Sequence, residues 1–199
     1  RSIHVVLGPG TNIKKSPLCG RNFEYFSEDP YLAGKMAASY IKGIQKHGPS
    51  ACLKHFACNN EEINRQALDS VVDERTLREI YLKQFEIAIK EARPKTIMSS
   101  YNLLNGIYTN ENQHLLIDIL RKEWGFDGVI VSDWGGNNDR VEALKAHSEL
   151  EMPTTNGDTA LDIINAVKEG KIDEQLLDEN VDNLLRLVFD VSQNNQKEE

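Results

Sequence analysis

Residues 128–136 read Gly-Val-Ile-Val-Ser-Asp-Trp-Gly-Gly, and this stretch decides the predicted fold. A run of β-branched residues that stops at a carboxylate, an aromatic ring and two glycines predicts a buried parallel strand that opens into a loop. In a barrel of parallel strands, the chemistry lies at the C-terminal strand ends. Asp133 therefore stands where a catalytic group would lie, although Ser132 and Asp133 could instead cap the following helix.

Apolar segments and amphipathic segments alternate on both sides of this strand. Strands are predicted at 5–7, 51–55, 96–100, 128–132 and 149–152, and helices over about 31–45, 73–89, 112–124, 140–146, 159–169 and 174–189. This order predicts an α/β fold, a (β/α)8 TIM-type barrel that is incomplete because about five βα units are present where a closed barrel needs eight. We take 1–190 as one partial barrel domain and 191–199 as a polar tail. No Gly-x-Gly-x-x-Gly motif opens a helix after the first strand, which argues against a dinucleotide cofactor.

Two helices carry a clear apolar face. Over 73–89, Asp73 is the predicted N-cap, and one apolar face is formed by Leu77, Ile80, Tyr81, Phe85, Ala88 and Ile89. Over 112–124, the inward residues are Leu115, Leu116, Ile119 and Leu120, and Gly125 ends the helix.

Charge and cysteine content narrow the class of protein. Lysine and arginine total 23 against 31 acidic residues, giving a net charge of −8, and no basic stripe predicts nucleic-acid binding. No apolar run is long enough to span a membrane. The three cysteines, Cys19, Cys52 and Cys58, form no Cys-x-x-Cys pair, which favours free thiols in a reducing, cytoplasmic compartment. Zinc binding by Cys52, His55 and Cys58 fits the spacing but lacks a fourth ligand, so no metal is expected.

Polar side chains cluster where the predicted strands end. The residues expected to meet at one mouth of the barrel are Arg21, Lys54, His55, Tyr101, Asp133 and Trp134. A carboxylate surrounded by fixed donors stays ionised and suits a nucleophile. Hydrogen-bonding groups beside an indole ring suit a sugar, which has hydroxyl groups and an apolar C–H face.

Five ordered motifs carry a family resemblance. They are residues 8–30, Lys-His-Phe-Ala-Cys-Asn-Asn at 54–60, Asp-Glu-Arg-Thr-Leu-Arg-Glu-Ile-Tyr-Leu at 73–82, Met-Ser-Ser-Tyr-Asn at 98–102, and 125–135. Together they resemble the N-terminal barrel domain of glycoside hydrolase family 3, and within it the bacterial β-glucosidases. The resemblance extends from residue 3 to about residue 153.

The resemblance implies roles for individual residues. Asp133 matches the nucleophile, which attacks the anomeric carbon of the substrate. Residues that match ligands of the sugar hydroxyls are Arg21, Lys54, His55 and Tyr101. Trp134 resembles the aromatic on the aglycone side, Met98 and Asn102 match further pocket residues, and Lys54–His55 matches one of two expected cis peptide bonds. No cofactor is implied.

Each of these residues also has an ordinary structural interpretation. Arg21 could pair with Glu24 or Glu28, and Lys54 could be a buried cation or the Schiff-base lysine of another barrel family. His55 could be a hydrogen-bonded core histidine, and Tyr101 could pack at the rim of the barrel. The adjacent acids Glu61 and Glu62 are interpreted as solvated surface.

Two absences set this chain apart from the family pattern. The early aspartate that binds the glycone has no counterpart. A retaining glycosidase also needs a second carboxyl group as acid and base, and in the β-glucosidase branch that glutamate comes from a separate α/β-sandwich domain. The N-acetylglucosaminidase branch uses a loop histidine instead, but residues 56–73 contain none. Residues 146–153 also differ from the glycine and aspartate more usual in the family.

The leading hypothesis is therefore the barrel domain of a retaining exo-β-glucosidase that acts on small β-glucosides or oligosaccharides, with its acid/base glutamate in a missing sandwich domain. A β-xylosidase or another family 3 glycosidase is the nearest alternative. A non-catalytic carbohydrate-binding remnant, or a lyase or aldolase using Lys54, remains open.

Overall fold

A parallel sheet forms the centre of the chain, and the computed structural model describes residues 3–194 around it. The strands are β1 (Val5–Val6), β2 (Ser50–Phe56), β3 (Asp69–Ser70), β4 (Thr96–Ser99), β5 (Leu103–Leu104), β6 (Ile107–Tyr108) and β7 (Val129–Val131). The α-helices are α1 (Pro30–Gln45), α2 (Glu74–Thr76), α3 (Lys83–Ala92), α4 (Arg140–Lys145), α5 (Asp158–Lys168) and α6 (Glu174–Asn194). Leu77–Tyr81 and His114–Glu123 are π-helical, and Asn22–Glu24 and Thr109–Glu111 are 3-10 turns.

The main sheet has the strand order β1-β2-β4-β7, and all its pairings are parallel. The fifth predicted strand, at 149–152, is reduced to a single parallel bridge between Leu150 and Val131. Parallel strands place their C-terminal ends at one edge, so residues that follow β2, β4 and β7 meet there. The predicted TIM-type α/β class is confirmed.

The largest core cluster lies between this sheet and the helices outside it. Leu53, Ile97 and Ile130, one from each of three neighbouring strands, are fully buried in it. The predicted inward face of the helix over 112–124 is confirmed, since Leu115, Leu116, Ile119 and Leu120 are fully buried. Helix α1 approaches α3 so closely at Gly34 that a Cβ there would lie 2.8 Å from the Ile87 side chain.

The apolar face predicted over 73–89 is wrong at Ile80, which is exposed. Asp73 caps the helix as predicted, by accepting a hydrogen bond from Thr76 N. The chain then forms a π turn in which Leu82 N donates to Leu77 O, five residues back. The extra residue in the turn rotates the face that follows it, so Leu82 is buried where a regular helix would bury Ile80.

A second, three-stranded sheet was absent from the sequence prediction. It has the order β3-β5-β6, with β5 and β6 joined antiparallel. The turn between them is Asn105-Gly106, and both residues have positive φ, 51° and 86°. Asn-Gly is the usual sequence of a two-residue hairpin turn, so the signal was present but the flanking strands are only two residues long.

The C-terminal region contains α6, which continues to Asn194 and so passes the predicted boundary at 190. The division into 1–190 and 191–199 stays a prediction, and residues 195–199 lie outside the described residues. Across residues 3–194, we find no helix with the length and apolar character needed to cross a bilayer. Cys19, Cys52 and Cys58 are buried free thiols.

Candidate active site

Asp133 lies two residues beyond β7 and is 7% exposed. Its Oδ1 accepts a 2.7 Å hydrogen bond from Trp134 N, whereas its buried Oδ2 accepts no hydrogen bond from any of the described residues 3–194. The groups nearest to Oδ2 include His55 Nε2 at 3.5 Å and Arg21 Nη1 at 3.9 Å. One carboxylate oxygen is therefore held in place, and the other faces the mouth of the sheet without a bond.

His55 forms three hydrogen bonds, two through its backbone and one through its side-chain Nδ1. Asn12 clamps its backbone, because Asn12 Nδ2 donates to His55 O at 2.9 Å and His55 N donates to Asn12 Oδ1 at 2.8 Å. The Tyr25 hydroxyl lies 3.1 Å from His55 Nδ1. His55 Nε2 is buried, forms no hydrogen bond with any residue that the structure describes, and faces Asp133.

The pKa of His55 lies well below its ordinary value. Burial is the largest cause, and the positive charges of Arg21, Lys54 and Arg65 add to it. The imidazole is therefore neutral at neutral pH. A neutral ring 3.5 Å from a carboxylate forms no ion pair with it, so His55 Nε2 and Asp133 Oδ2 remain available to a ligand hydroxyl.

Arg21 and Lys54 meet at a shared carboxylate, Glu24. Arg21 Nε donates to Glu24 Oε1 at 2.5 Å, and Lys54 Nζ lies 3.2 Å from Glu24 Oε2. The pairing of Arg21 with Glu24 was one of the structural alternatives for Arg21. It holds the guanidinium within reach of Asp133 rather than away from it.

Tyr101 lies two residues beyond the end of β4. Its hydroxyl donates to Trp134 O at 2.8 Å, while the Trp134 side chain stands at the rim and is 52% exposed. Burial, and next the charge of Asp133, raise the pKa of Tyr101. A cavity of about 220 Å³ borders Tyr101 and the glycines that follow Trp134.

Sequence reasoning missed Arg65, whose guanidinium lies 4.2 Å from the centre of the Tyr101 ring. It pairs with Glu62 at 2.8 Å. The interpretation of Glu62 as solvated surface is therefore wrong, since its side chain is only 19% exposed and also accepts from Asn59. Arg65 lies in the irregular segment between β2 and β3, where no periodic pattern indicates which way a side chain points.

The two remaining predicted pocket residues, Met98 and Asn102, are buried. Met98 packs in an apolar cluster with Cys52, Val129 and Val131, so its role in lining the pocket stays a prediction. Asn102 is buried and donates to the carbonyl oxygens of Ala57 and Leu103. The structure therefore gathers Arg21, Lys54, His55, Tyr101 and Asp133 at one mouth, with Trp134 at its rim.

Two cis peptide bonds and a cysteine-histidine spacing lie in and next to β2. Both Lys54–His55 and Phe56–Ala57 are cis peptide bonds. The spacing of Cys52, His55 and Cys58 does not produce a metal centre, and residues 3–194 contain no group of three or more His, Cys, Asp or Glu side chains placed to hold a metal ion.

Comparison with known proteins assigns this arrangement to a family. The family described as "Glycosyl hydrolase family 3 N terminal domain" matches residues 1–187. A thermostable beta-glucosidase B from Acetivibrio thermocellus is 55% identical over 197 residues, which are 99% of this chain and 26% of that protein. An exo-alpha-(1->6)-L-arabinopyranosidase from Bifidobacterium longum is 48% identical over 186 residues, 94% of this chain and 24% of that protein.

Solved structures agree with the sequence matches. The structure of beta-glucosidase 3B from Thermotoga neapolitana in complex with glucose superposes with a TM-score of 0.94 and 48% identity, covering 97% of this chain and 28% of that one. The chain thus spans about a quarter of the length of the relatives that it matches.

Proposed function

Because this chain belongs to the N-terminal domain of glycosyl hydrolase family 3, we propose that it supplies the nucleophile and most of the glycone ligands of a retaining, exo-acting β-glucosidase. The substrate is a terminal, non-reducing β-D-glucosyl residue of a small glucoside or oligosaccharide. The observation that supports this proposal most strongly is the unpartnered Asp133 Oδ2, which is buried and faces the unpartnered His55 Nε2 at 3.5 Å.

The reaction takes place in two displacements at the anomeric carbon. Asp133 Oδ2 forms a bond to that carbon as the bond to the aglycone oxygen breaks, and a carboxylic acid gives its proton to the departing oxygen. Water then attacks the glycosyl-enzyme, the same carboxylate takes the proton of the water, and Asp133 is released as a carboxylate.

The surrounding side chains bind the glycone hydroxyls and orient the ring. Arg21, Lys54 and Arg65 donate charge-assisted hydrogen bonds, and His55 Nε2 is within reach of a hydroxyl that also contacts Asp133. The Trp134 ring at the rim offers an apolar platform to the aglycone.

The acid and base carboxylate comes from outside this chain. Two other carboxylates at the described mouth are Glu24 and Glu62, and each is already paired with a cation. A general acid must be free to reach the aglycone oxygen, whereas Glu24 and Glu62 are held by the cations that we assign to the glycone. We therefore assign this role to the α/β-sandwich domain expected from the family resemblance.

Covalent trapping tests the proposal without needing the acid. The complete polypeptide that carries this sequence is treated with 2,4-dinitrophenyl 2-deoxy-2-fluoro-β-D-glucoside, whose leaving group needs no proton. A stable 2-deoxy-2-fluoroglucosyl adduct on the peptide containing Asp133, absent from Asp133→Ala, is the expected result. Hydrolysis of aryl β-glucosides by the parent with no adduct at Asp133 would exclude this nucleophile. Binding of glucose with neither adduct nor hydrolysis would favour a carbohydrate-binding remnant.

A second glycone has specific support from the relatives. One relative, 48% identical, is named as an arabinopyranosidase, and β-xylosides remain the alternative raised by the sequence. Comparison of kcat/KM for p-nitrophenyl β-D-glucoside, β-D-xyloside and α-L-arabinopyranoside decides among them. The largest kcat/KM for the glucoside is expected.

A further inference from the structure

The short 3-10 turn Asn22–Glu24 places one carboxylate between two cations of the mouth. Glu24 uses its two oxygens separately, Oε1 for Arg21 Nε at 2.5 Å and Oε2 for Lys54 Nζ at 3.2 Å. All three side chains are largely buried, with 19%, 19% and 15% of Glu24, Arg21 and Lys54 exposed. Glu24 therefore links a cation of the loop after β1 to a cation of β2.

The charges of the mouth are arranged so that two carboxylates are closely paired and the third, Asp133, has only a long ion-pair contact on its Oδ2. Glu24 forms ion pairs with Arg21 and Lys54, and Glu62 forms an ion pair with Arg65 at 2.8 Å. Within residues 3–194, Asp133 Oδ2 accepts no hydrogen bond, although Arg21 Nη1 is only 3.9 Å away. Arg21 is thus the cation that could form a direct hydrogen bond with Asp133 if it lost Glu24.

We propose that Glu24 is a positioning residue of the active site, which holds Arg21 and Lys54 toward the glycone and keeps Arg21 from forming a direct hydrogen bond with Asp133. The inference rests on the proposed function, because it assigns Glu24 a role through the nucleophile named there. Glu24 itself does not touch the reacting atoms.

The physical reason is competition for the guanidinium. Hydrogen bonds between charged groups are short and strong, so an arginine without its carboxylate partner turns to the next one within reach. A carboxylate oxygen that accepts from a guanidinium has less electron density for attack on carbon and must break that bond first. Glu24 satisfies Arg21 Nε and leaves the Asp133 oxygen free.

The backbone position of Glu24 is fixed by the contacts of its neighbour Tyr25 rather than by the Glu24 side chain. Tyr25 is buried, packs edge-to-face on the His55 ring and shares a hydrogen bond with His55 Nδ1. The backbone of the turn is therefore anchored at residue 25. An isosteric change of the Glu24 side chain should leave this anchor in place.

The test compares Glu24→Gln with Glu28→Gln in the complete polypeptide. Glu28 lies in the same loop, is exposed, and loses the same charge in its variant, so it is the matched control. The rate of labelling by 2,4-dinitrophenyl 2-deoxy-2-fluoro-β-D-glucoside is measured against its concentration, which gives a saturation constant and a first-order constant. Circular dichroism checks the fold of each variant.

Glu24→Gln should raise the saturation constant about tenfold, because Lys54 and Arg21 lose their common anchor, and lower the first-order constant about tenfold, because Arg21 turns to Asp133. Glu28→Gln should stay within about twofold of the parent in both. Labelling constants of Glu24→Gln that match those of Glu28→Gln would overturn the proposal.

A double variant separates positioning from a general loss of structure. In an Arg21→Gln background, adding Glu24→Gln should leave the first-order constant unchanged within about twofold, because no guanidinium remains at position 21 to pair with Asp133. A full tenfold loss in that background would overturn the route through Arg21.

Two further results, an unfolded Glu24→Gln variant and an inactive parent, are also informative. If Glu24→Gln loses its fold, Glu24→Asp is used: its shorter carboxylate cannot reach both cations, so a saturation constant raised about fivefold supports the proposal and an unchanged one overturns it. If the parent neither labels nor hydrolyses β-glucosides, the proposed function fails and this inference fails with it. Normal labelling of the parent and of Glu24→Gln removes only this inference.

Discussion

Two buried carboxylates in this chain are bonded in opposite ways. Asp133 and Glu149 are each 7% exposed as whole residues, and their side chains are 10% and 1% exposed. Glu149 Oε1 accepts from Arg121 at 2.6 Å and from Asn183 at 3.1 Å, and its Oε2 accepts from Ile130 N at 2.7 Å. In the described part of the chain, Asp133 accepts a hydrogen bond from Trp134 N on one oxygen and none on the other.

The difference teaches how to separate a structural carboxylate from a functional one. Burying a charged group without hydrogen bonds costs free energy. A carboxylate that stabilises the fold from a buried position therefore accepts hydrogen bonds on both oxygens. Glu149 ties the helix-borne Arg121 and Asn183 to the backbone of β7 and meets that condition. Asp133 does not meet it, and an unpaired buried oxygen is tolerated where a ligand supplies the missing contact.

The largest expected effect in this comparison is on the saturated carboxylate. Glu149→Gln removes the charge that pairs with Arg121 and leaves one acceptor oxygen for three donors. We expect a loss of about 3 kcal/mol in the free energy of unfolding, measured by urea denaturation.

The matched control for that change is Glu142→Gln, which breaks a half-exposed pair with Lys145 on α4. Exposed pairs of this kind contribute little, so a change within about 0.5 kcal/mol is expected. Equal losses in Glu149→Gln and Glu142→Gln would show that saturation of Glu149 does not stabilise the fold.

The second effect concerns the histidine that faces Asp133. Tyr25→Phe deletes the hydroxyl bonded to His55 Nδ1 and leaves that buried nitrogen without its partner. The expected loss is about 1–2 kcal/mol in the free energy of unfolding. Tyr40→Phe, at an exposed tyrosine of α1, should change it by less than about 0.5 kcal/mol. A Tyr25→Phe variant as stable as Tyr40→Phe would mean that the ring is positioned by packing alone.

The third effect is a pH dependence that comes from the same histidine. Burial first, and then three nearby cations, hold the pKa of His55 well below its usual value. The unfolded chain takes up this proton below about pH 6.5 while the native chain does not, so the free energy of unfolding should fall as pH decreases, by up to about 1.4 kcal/mol per unit.

Other groups titrate in the same experiment. The pKa of His147 is lowered mainly by burial, which adds a slope of the same sign, while burial raises the pKa of Glu149, which acts in the opposite sense at lower pH. The informative quantity is therefore the difference between the parent and His55→Gln between pH 7 and about pH 5.5. Equal slopes would contradict a buried neutral His55.

The sequence was sufficient for the features that local patterns encode. The β-branched run before Asp133, the apolar face ending at Gly125 and the Asp73 cap all follow from residue type and spacing, and the strand ends predicted six candidate residues at one mouth. Ile80 was misplaced because a π turn breaks the 3.6-residue period without any mark in the composition.

Other features of the site depend on tertiary contacts between distant residues. Arg65 reaches Tyr101 across 36 positions of the sequence, and no periodicity predicts an approach from an irregular loop. In the sequence, Glu149 is one of several acids in a charged segment, and nothing indicates that it is buried. Its burial and its hydrogen bond from Asn183 depend on packing against α6. The opposite roles of Asp133 and Glu149 become visible when hydrogen bonds are counted atom by atom.

The smallest expected effect on stability is therefore at the residue with the largest expected effect on chemistry. Asp133→Asn keeps an acceptor for Trp134 N, and it gives up an oxygen that bonds to nothing. Arg21 loses a neighbour at 3.9 Å but keeps Glu24 at 2.5 Å, so no cation is left unpaired. The free energy of unfolding should change by less than about 1 kcal/mol, in the same urea assay that detects Glu149→Gln, while labelling by the fluoroglucoside disappears. A loss as large as that of Glu149→Gln would make Asp133 a structural carboxylate and remove the main observation that supports a nucleophile at this position.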